Sequence, residues 1–311
     1  MTVAVHVGPE PVPALIDAVR RAGGDVVPLE RAEAIVYYGS DDPAELRAML
    51  HDRIRWVQLP HAGVERWADA GVFTAADPGS APGSAGPVFT AAAGSYGAPV
   101  AEHALALMLA AARGLHRLAR ATEWGPNRSR ELAGSTVAIV GCGGIGRALI
   151  RMLEPFGCTI VAVTDSGAAP GATTVLPRAR YRDALPEADY VVIAAPATPE
   201  TRGMFGAKEL GLMRTDAWLV NVARGGLVVT GDLVEALRAG RIGGAALDVT
   251  DPEPLPAGHP LWQMDNVLIT PHSANPRPAY WRGLAERVTA NVRRFEEGAP
   301  LEGVISSTQG F

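Results

Sequence analysis

Six residues, Gly141-Cys142-Gly143-Gly144-Ile145-Gly146, stand between an apolar run at 136–140 and a stretch of helical spacing at 145–156. Asp165 closes the next apolar run, which begins at Thr159. A strand, a glycine turn, a helix, a second strand and then an acid is the order a phosphate-binding βαβ unit requires. The first glycine permits the tight turn, the second lets a pyrophosphate approach the backbone, and the third lets the helix pack on the strand. A helix N-terminus placed there offers unpaired N–H groups and a favourable dipole to an anion. The segment therefore reads as a dinucleotide clamp, with Gly141, Gly143, Gly144, Ile145 and Gly146 around the pyrophosphate and Asp165 on the adenosine ribose. The plain alternative is an ordinary strand-turn-helix followed by a surface acid; strand, helix and distal acid together favour the clamp.

The rest of the chain is punctuated in the same way. Apolar runs at 3–7, 34–38 and 56–59 alternate with helical stretches at 12–21 and 43–50, predicting a parallel sheet with helices on its faces. Glycine, proline and serine dominate 75–87, which predicts a surface loop. Pro99 precedes a helix predicted over 100–122, with Glu102 early and Arg113, Arg117 and Arg120 late, charges that complement its dipole. Its apolar face is broad enough to bury against another subunit. From Thr136 the α/β pattern restarts, with strand-like runs at 159–163, 190–194, 217–221, 245–248 and 267–270. A last helical stretch, 279–297, packs back on the first unit. The expected domains are therefore 1–98 with 276–311, and 99–275.

Composition narrows the classes of function. A length of 311 residues suits about two domains, and 48% hydrophobic with 20% charged residues is ordinary for a soluble protein with substantial cores. A net charge of −5 leaves no broad basic surface, so no nucleic acid is expected as a main partner. Two cysteines with no C-x-x-C pair argue for reduced thiols rather than a disulfide framework. His6, His51, His116 and His259 share no metal-ligand spacing, and no metal is expected. The first residues lack a basic segment followed by an apolar core, and the apolar stretch at 104–112 is too short for a membrane. A cytoplasmic protein with no membrane partner is expected. The absence of a G-x-S-x-G motif lowers any hydrolase reading.

Three further segments carry chemistry: Asn221-Val222-Ala223-Arg224-Gly225-Gly226, Asp248-Val249-Thr250-Asp251-Pro252-Glu253-Pro254, and Thr270-Pro271-His272-Ser273-Ala274. Each follows a predicted strand. Loops at the carboxyl ends of parallel strands line a ligand crevice, so Arg224, Glu253 and His272 can converge although far apart in sequence. His272 would exchange a proton with a hydroxyl or carbonyl oxygen, Glu253 would orient the ring and favour its protonated form, and Arg224 would grip a carboxylate. Singly, each has a bland reading: a hydrogen-bonding histidine, a turn acid between prolines, an arginine closing a turn beside two glycines. Their joint placement after strands favours the chemical one.

With these motifs the chain resembles the D-isomer-specific 2-hydroxyacid dehydrogenase family, and in particular its glyoxylate and hydroxypyruvate reductases. The resemblance also rests on Val100-Ala101-Glu102-His103-Ala104-Leu105, on Trp124 upstream of Leu132-Ala133-Gly134, on Thr198-Pro199-Glu200-Thr201-Arg202-Gly203 and on His259-Pro260-Leu261-Trp262. It implies an α/β fold of two Rossmann-like domains: a doubly wound parallel-sheet NAD-binding domain and a smaller flavodoxin-like substrate domain. It makes Arg224, Glu253 and His272 the catalytic set. It places Asp165, Ala195, Pro196, Thr201, Val222, Ala223, Arg224, Asp248, His272 and Ala274 at cofactor-contact positions, beside the glycine loop. Ala62, Gly63 and Val64, in a loop after the third predicted strand, would bind the substrate carboxylate with Arg224 and His272.

The activity implied is reduction of a small 2-oxo acid to the D-2-hydroxy acid, or the reverse, with NAD(H), by a homodimer. Asp165 accepts hydrogen bonds from ribose hydroxyls and repels a 2′-phosphate, and no arginine stands beside Ser166 and Gly167, so NADH is expected over NADPH. Substrate choice would fall to side chains near His61, Tyr96 and Trp281; His103 reads as structural. The alternatives are an NAD(H)-sensing binding protein or corepressor on the same fold, and a phosphite or formate dehydrogenase. Formate enzymes of the family usually carry glutamine where Glu253 stands.

Overall fold

The computed structural model describes residues 2–40, 42–73, 86–126 and 129–305. The expected loop at 75–87 lies, apart from Gly86 and Pro87, outside the described residues. The chain divides into two compact units, Met1–Tyr96 with Arg277–Phe311, and Gly97–Pro276. Both are parallel α/β sheets, the class expected.

The first unit holds β1 (Ala4–Pro9), β2 (Asp25–Val26), β3 (Ala34–Tyr38), β4 (Trp56–Gln58) and β5 (Val88–Thr90), all parallel, in the order β2-β1-β3-β4-β5. β3 is a continuous apolar run, Ala-Ile-Val-Tyr-Tyr, because helices cover both its faces. The helix Pro13–Arg21 starts on a proline, ends on Arg20 and Arg21, and turns Leu15, Ala18 and Val19 inward, one face of a 3.6-residue repeat.

The helix Arg277–Glu297 joins this unit from the far end of the chain, held by a buried polar network. Asn291 Nδ2 donates to Gln58 Oε1 at 2.9 Å and to the Glu302 carbonyl at 3.0 Å, while Glu302 N donates to Asn291 Oδ1 at 2.8 Å. Thr90 Oγ1 donates to Gln58 Oε1 at 3.0 Å, and Trp56 Nε1 donates to Thr90 Oγ1 at 2.8 Å. Gln58, Thr90 and Asn291 are fully buried, where an unpaired amide or hydroxyl would be costly, so the network specifies how the last helix seats.

The second unit holds β6 (Thr136–Val140), β7 (Thr159–Val163), β8 (Thr174–Leu176), β9 (Tyr190–Ile193), β10 (Trp218–Asn221), β11 (Gly244–Leu247) and β12 (Val267–Ile269). They lie parallel in the order β12-β11-β10-β9-β6-β7-β8. Strand order reverses between β6 and β9, and such a reversal opens a crevice at the carboxyl ends.

Two helical expectations are corrected. The helix predicted over 100–122 is Gly97–Arg113: Gly114, at φ 62°, turns the chain left-handed, and only a short turn, Leu115–Leu118, follows. Arg117 and Arg120 therefore do not complement its dipole. On this helix Val100, Ala104, Leu107, Met108 and Ala111 are buried, while Leu105 and Leu109 are half-buried. The helix after the glycine loop spans Gly144–Leu153, and Glu154–Phe156 tightens to a 3₁₀ turn around Pro155, which has no N–H to continue the ladder. Among the described residues no helix is long and apolar enough to cross a membrane.

Candidate functional site

The glycine loop lies at the reversal between β6 and β9. Gly141 takes φ 102°, and a Cβ there would stand 2.5 Å from Ala195 N, so the loop after β9 rests directly on it. A Cβ on Gly146 would collide with the Gly141 carbonyl oxygen. At Gly143 nothing lies within 4 Å. Two of the three glycines are thus demanded by the protein's own backbone, and the third faces open space. The helix Gly144–Leu153 begins there with no side chain capping its N-terminus, leaving N–H donors for an anion. These features fit a dinucleotide pyrophosphate. Cys142 turns inward, with Sγ 4.0 Å from the Ile139 carbonyl, and burial pushes its thiol up to about 11.

Asp165 stands just beyond β7 and is not alone. Arg178 N donates to Asp165 Oδ1 at 3.2 Å, and Arg178 Nε lies 3.0 Å from Oδ2, which corrects the expectation that no arginine is at hand. The partner arrives from the segment after β8, a short strand that the sequence pattern does not announce. Asp165, Arg178, Tyr181, Arg182, Glu200 and Thr201 line a cavity of ≈ 420 Å³. A larger cavity, ≈ 550 Å³, opens among Ser135, Tyr190 and Trp218, at the amino ends of strands β6, β9 and β10 and away from the glycine loop.

The three predicted catalytic residues stand in loops after β10, β11 and β12. Asn221, fully buried at the end of β10, donates from Nδ2 to the Arg224 carbonyl at 2.9 Å and accepts from Ala223 N at 3.1 Å, fixing the turn that carries Arg224. Arg224 NH1 donates to the Ala223 carbonyl at 2.8 Å. A Cβ on Gly225 would collide with the Thr250 carbonyl, so the Arg224 turn packs tightly on the loop leading to Glu253. His272 Nδ1 meets Glu253 Oε1 at 2.6 Å, with both side chains about half exposed. A carboxylate only accepts, so Nδ1 carries the proton in this bond and Nε2 is left for another partner.

His272 takes φ 49°, the one non-glycine residue with positive φ among the described residues. Asp248 surrounds it with constraints. The Asp248 carbonyl accepts from His272 N at 2.8 Å. Its carboxylate accepts from Thr270 Oγ1 at 2.6 Å, Ser273 N at 2.9 Å and Ala274 N at 3.1 Å. His103, from the helix Gly97–Arg113, places Nε2 at 2.9 Å from Thr270 Oγ1 and 3.3 Å from Asp248 Oδ1. Burial pushes the Asp248 carboxyl up, but the hydrogen bonds from His103, Thr270, Ser273 and Ala274 outweigh it and hold it at about 2.

Other predicted contact positions of the second unit follow the carboxyl ends of β9 and β10. Pro196 is exposed in the turn after β9, beside buried Ala195. The Thr201 hydroxyl is taken up by its own turn, donating to the Pro196 carbonyl at 2.7 Å and accepting from Thr198 N at 2.8 Å. Val222 and Ala223 are buried behind Arg224. In the first unit, Ala62 and Gly63 are half-buried, Val64 is buried, and His61 stacks on Trp67 with centroids 5.6 Å apart. Sequence reasoning passed over Asn221 and Gly225 as organisers of the Arg224 turn, although both stand in a quoted motif. The role of His103 had no local signal, since its partner Thr270 is 167 residues away.

Residues 105–274 match a family model described as D-isomer specific 2-hydroxyacid dehydrogenase, NAD binding domain. The chain is 39% identical over 270 residues to an uncharacterized protein in the proB 3′ region of Corynebacterium melassecola, covering 84% of this chain and 85% of that one. It is 36% identical over 221 residues to a D-specific alpha-keto acid dehydrogenase of Enterococcus faecalis, covering 65% and 67%. A solved D-isomer specific 2-hydroxyacid dehydrogenase from Xanthobacter autotrophicus Py2, in complex with NADPH and MES, is 27% identical with a TM-score of 0.82 over 100% of this chain and 99% of that one.

Proposed function

Because the chain belongs to the D-isomer specific 2-hydroxyacid dehydrogenases, oxidoreductases with an NAD-binding domain that act on small 2-oxo and 2-hydroxy acids, we propose that it reduces a small 2-oxo acid to the D-2-hydroxy acid, or the reverse. The observation that carries this reading is the 2.6 Å bond between His272 Nδ1 and Glu253 Oε1. When bound, the nicotinamide cofactor supplies or accepts the hydride. Glu253 fixes the imidazole by accepting from Nδ1, so that Nε2 delivers a proton to the carbonyl oxygen in reduction and takes it from the hydroxyl in oxidation. Arg224, braced by Asn221, grips the substrate carboxylate and polarises the adjacent carbonyl. Ala62, Gly63 and Val64 are assigned to the same carboxylate by the family resemblance.

The unit Gly97–Pro276 is read as the cofactor unit and the other as the substrate unit. NADH is taken as the preferred cofactor, because the Asp165 carboxylate suits ribose hydroxyls and opposes a 2′-phosphate. Arg178 offsets part of that repulsion, so the preference is expected to be moderate. Two free cysteines accord with a cytoplasmic setting.

The test follows NADH absorbance with purified protein and a panel of 2-oxo acids, repeated with NADPH. Turnover with at least one acid is expected, with the higher kcat/KM for NADH. His272→Asn should lower kcat by roughly 10²–10⁴-fold while NADH binding, read by fluorescence, is kept. Near-full activity in that variant would remove His272 from the mechanism, and tight NADH binding without any turnover would favour a nicotinamide-sensing protein instead.

A further inference from the structure

We propose that the side chain of the substrate is aromatic, and that it seats on a ledge of tyrosine and tryptophan rings in the first unit. The inference rests on the dehydrogenase reading and adds the class of acid. In this unit the sheet order β2-β1-β3-β4-β5 reverses between β1 and β3, so the rule that places ligands at the carboxyl ends beside a reversal points to the end of β3. Tyr38 is the last residue of β3. Trp281, in the first turns of the helix Arg277–Glu297, lies 4.9 Å from it between ring centroids, tilted by 50°. Tyr280 meets Trp281 edge-on at 5.1 Å and stacks on Tyr96 at 5.2 Å. Tyr96 Oη donates to the Pro60 carbonyl at 2.6 Å, in the loop that goes on to Ala62, Gly63 and Val64.

A continuous row of four rings thus leads from the sheet reversal to the loop assigned to the substrate carboxylate. Tyr96 is buried and anchors the row, whereas Tyr38, Tyr280 and Trp281 are half-buried and keep ring surface open. Partly open, fixed aromatic faces favour another ring by stacked or edge-on contact.

Glyoxylate, with no side chain, leaves the rings uncovered, and oxaloacetate offers them a carboxylate instead of a ring.

The experiment compares kcat/KM for phenylpyruvate, glyoxylate and oxaloacetate with NADH, in the parent protein and in Trp281→Ala and Trp281→Phe. Phenylpyruvate is expected to exceed glyoxylate by at least about tenfold. Trp281→Ala should narrow that ratio about tenfold, mainly through KM, and Trp281→Phe should restore most of it, which distinguishes loss of a ring from loss of the fold. A preference for glyoxylate or oxaloacetate, or a ratio unmoved by Trp281→Ala, overturns the ledge and leaves the dehydrogenase reading standing. Absence of turnover with every acid overturns that reading, and the ledge with it.

Discussion

His272 holds a left-handed backbone that a residue with a Cβ adopts only under constraint, and the constraint is visible around it. Thr270 before it, and Ser273 and Ala274 after it, all bond the Asp248 carboxylate, so this one buried acid sets where the imidazole points. An Asp248 carboxyl held at about 2, against an ordinary 3.8, amounts to roughly 2 kcal/mol of stability. The folded value is the depressed one, so this stabilisation is present in full above about pH 4 and is lost as pH falls towards 2. Asp248→Asn should therefore be less stable than the parent by about 2 kcal/mol at neutral pH, with the gap narrowing as the pH is lowered below about 4. Denaturant midpoints across that range check it, and equal stability at neutral pH would refute it. His272 and Glu253 could be picked out in the sequence because each sits beside proline in a segment that follows a strand. The brace from His103 could not, because a histidine on an apolar helix looks the same whether or not a distant threonine and aspartate await it.

At the level of elements, the turn between β6 and its helix separates two uses of glycine that look identical in sequence. Gly146 lets the helix close on the strand end, and Gly143 leaves room for a ligand. Gly146→Ala should lower the melting temperature by several degrees, since its Cβ must displace the backbone of Gly141. Gly143→Ala should leave melting almost unmoved and weaken NADH binding instead. Calorimetry with NADH titration separates the two, and a swap of these outcomes would contradict the clamp. Strands of four residues or more were foreseeable from apolar runs, as β3, β6 and β10 show. β2, β5 and β8 were not: unlike the equally short β4 and β12, which lie in largely apolar runs of four residues, they carry no apolar run of their own, and pairing with a neighbour makes them strands. The helix from Gly97 was foreseeable in position but not in length, because Gly114 lies inside a stretch otherwise suited to helix.

For the molecule as a whole, three exposed apolar side chains follow the helix Gly97–Arg113 closely in sequence. Leu115 is 51% exposed, Leu118 49% and Trp124 fully exposed, on one segment after Arg113. Such side chains close together favour a covering surface, and the dimer expected from the family resemblance would supply it. Light scattering should return twice the mass of one chain, and Trp124→Glu should shift the protein towards monomer; a monomeric parent at micromolar concentration would refute the assignment. The sequence by itself determined the parallel α/β class, the glycine clamp and the three strand-end segments. Apolar period, glycine and proline act over a few residues and can be read in order along the chain. Only the tertiary structure decided that Arg178 faces Asp165, that His103 braces the His272 loop, and that Tyr38, Tyr280, Trp281 and Tyr96 form one row. Each of these depends on which strands lie side by side, and strand order is set by burial of the whole sheet rather than by neighbours in sequence.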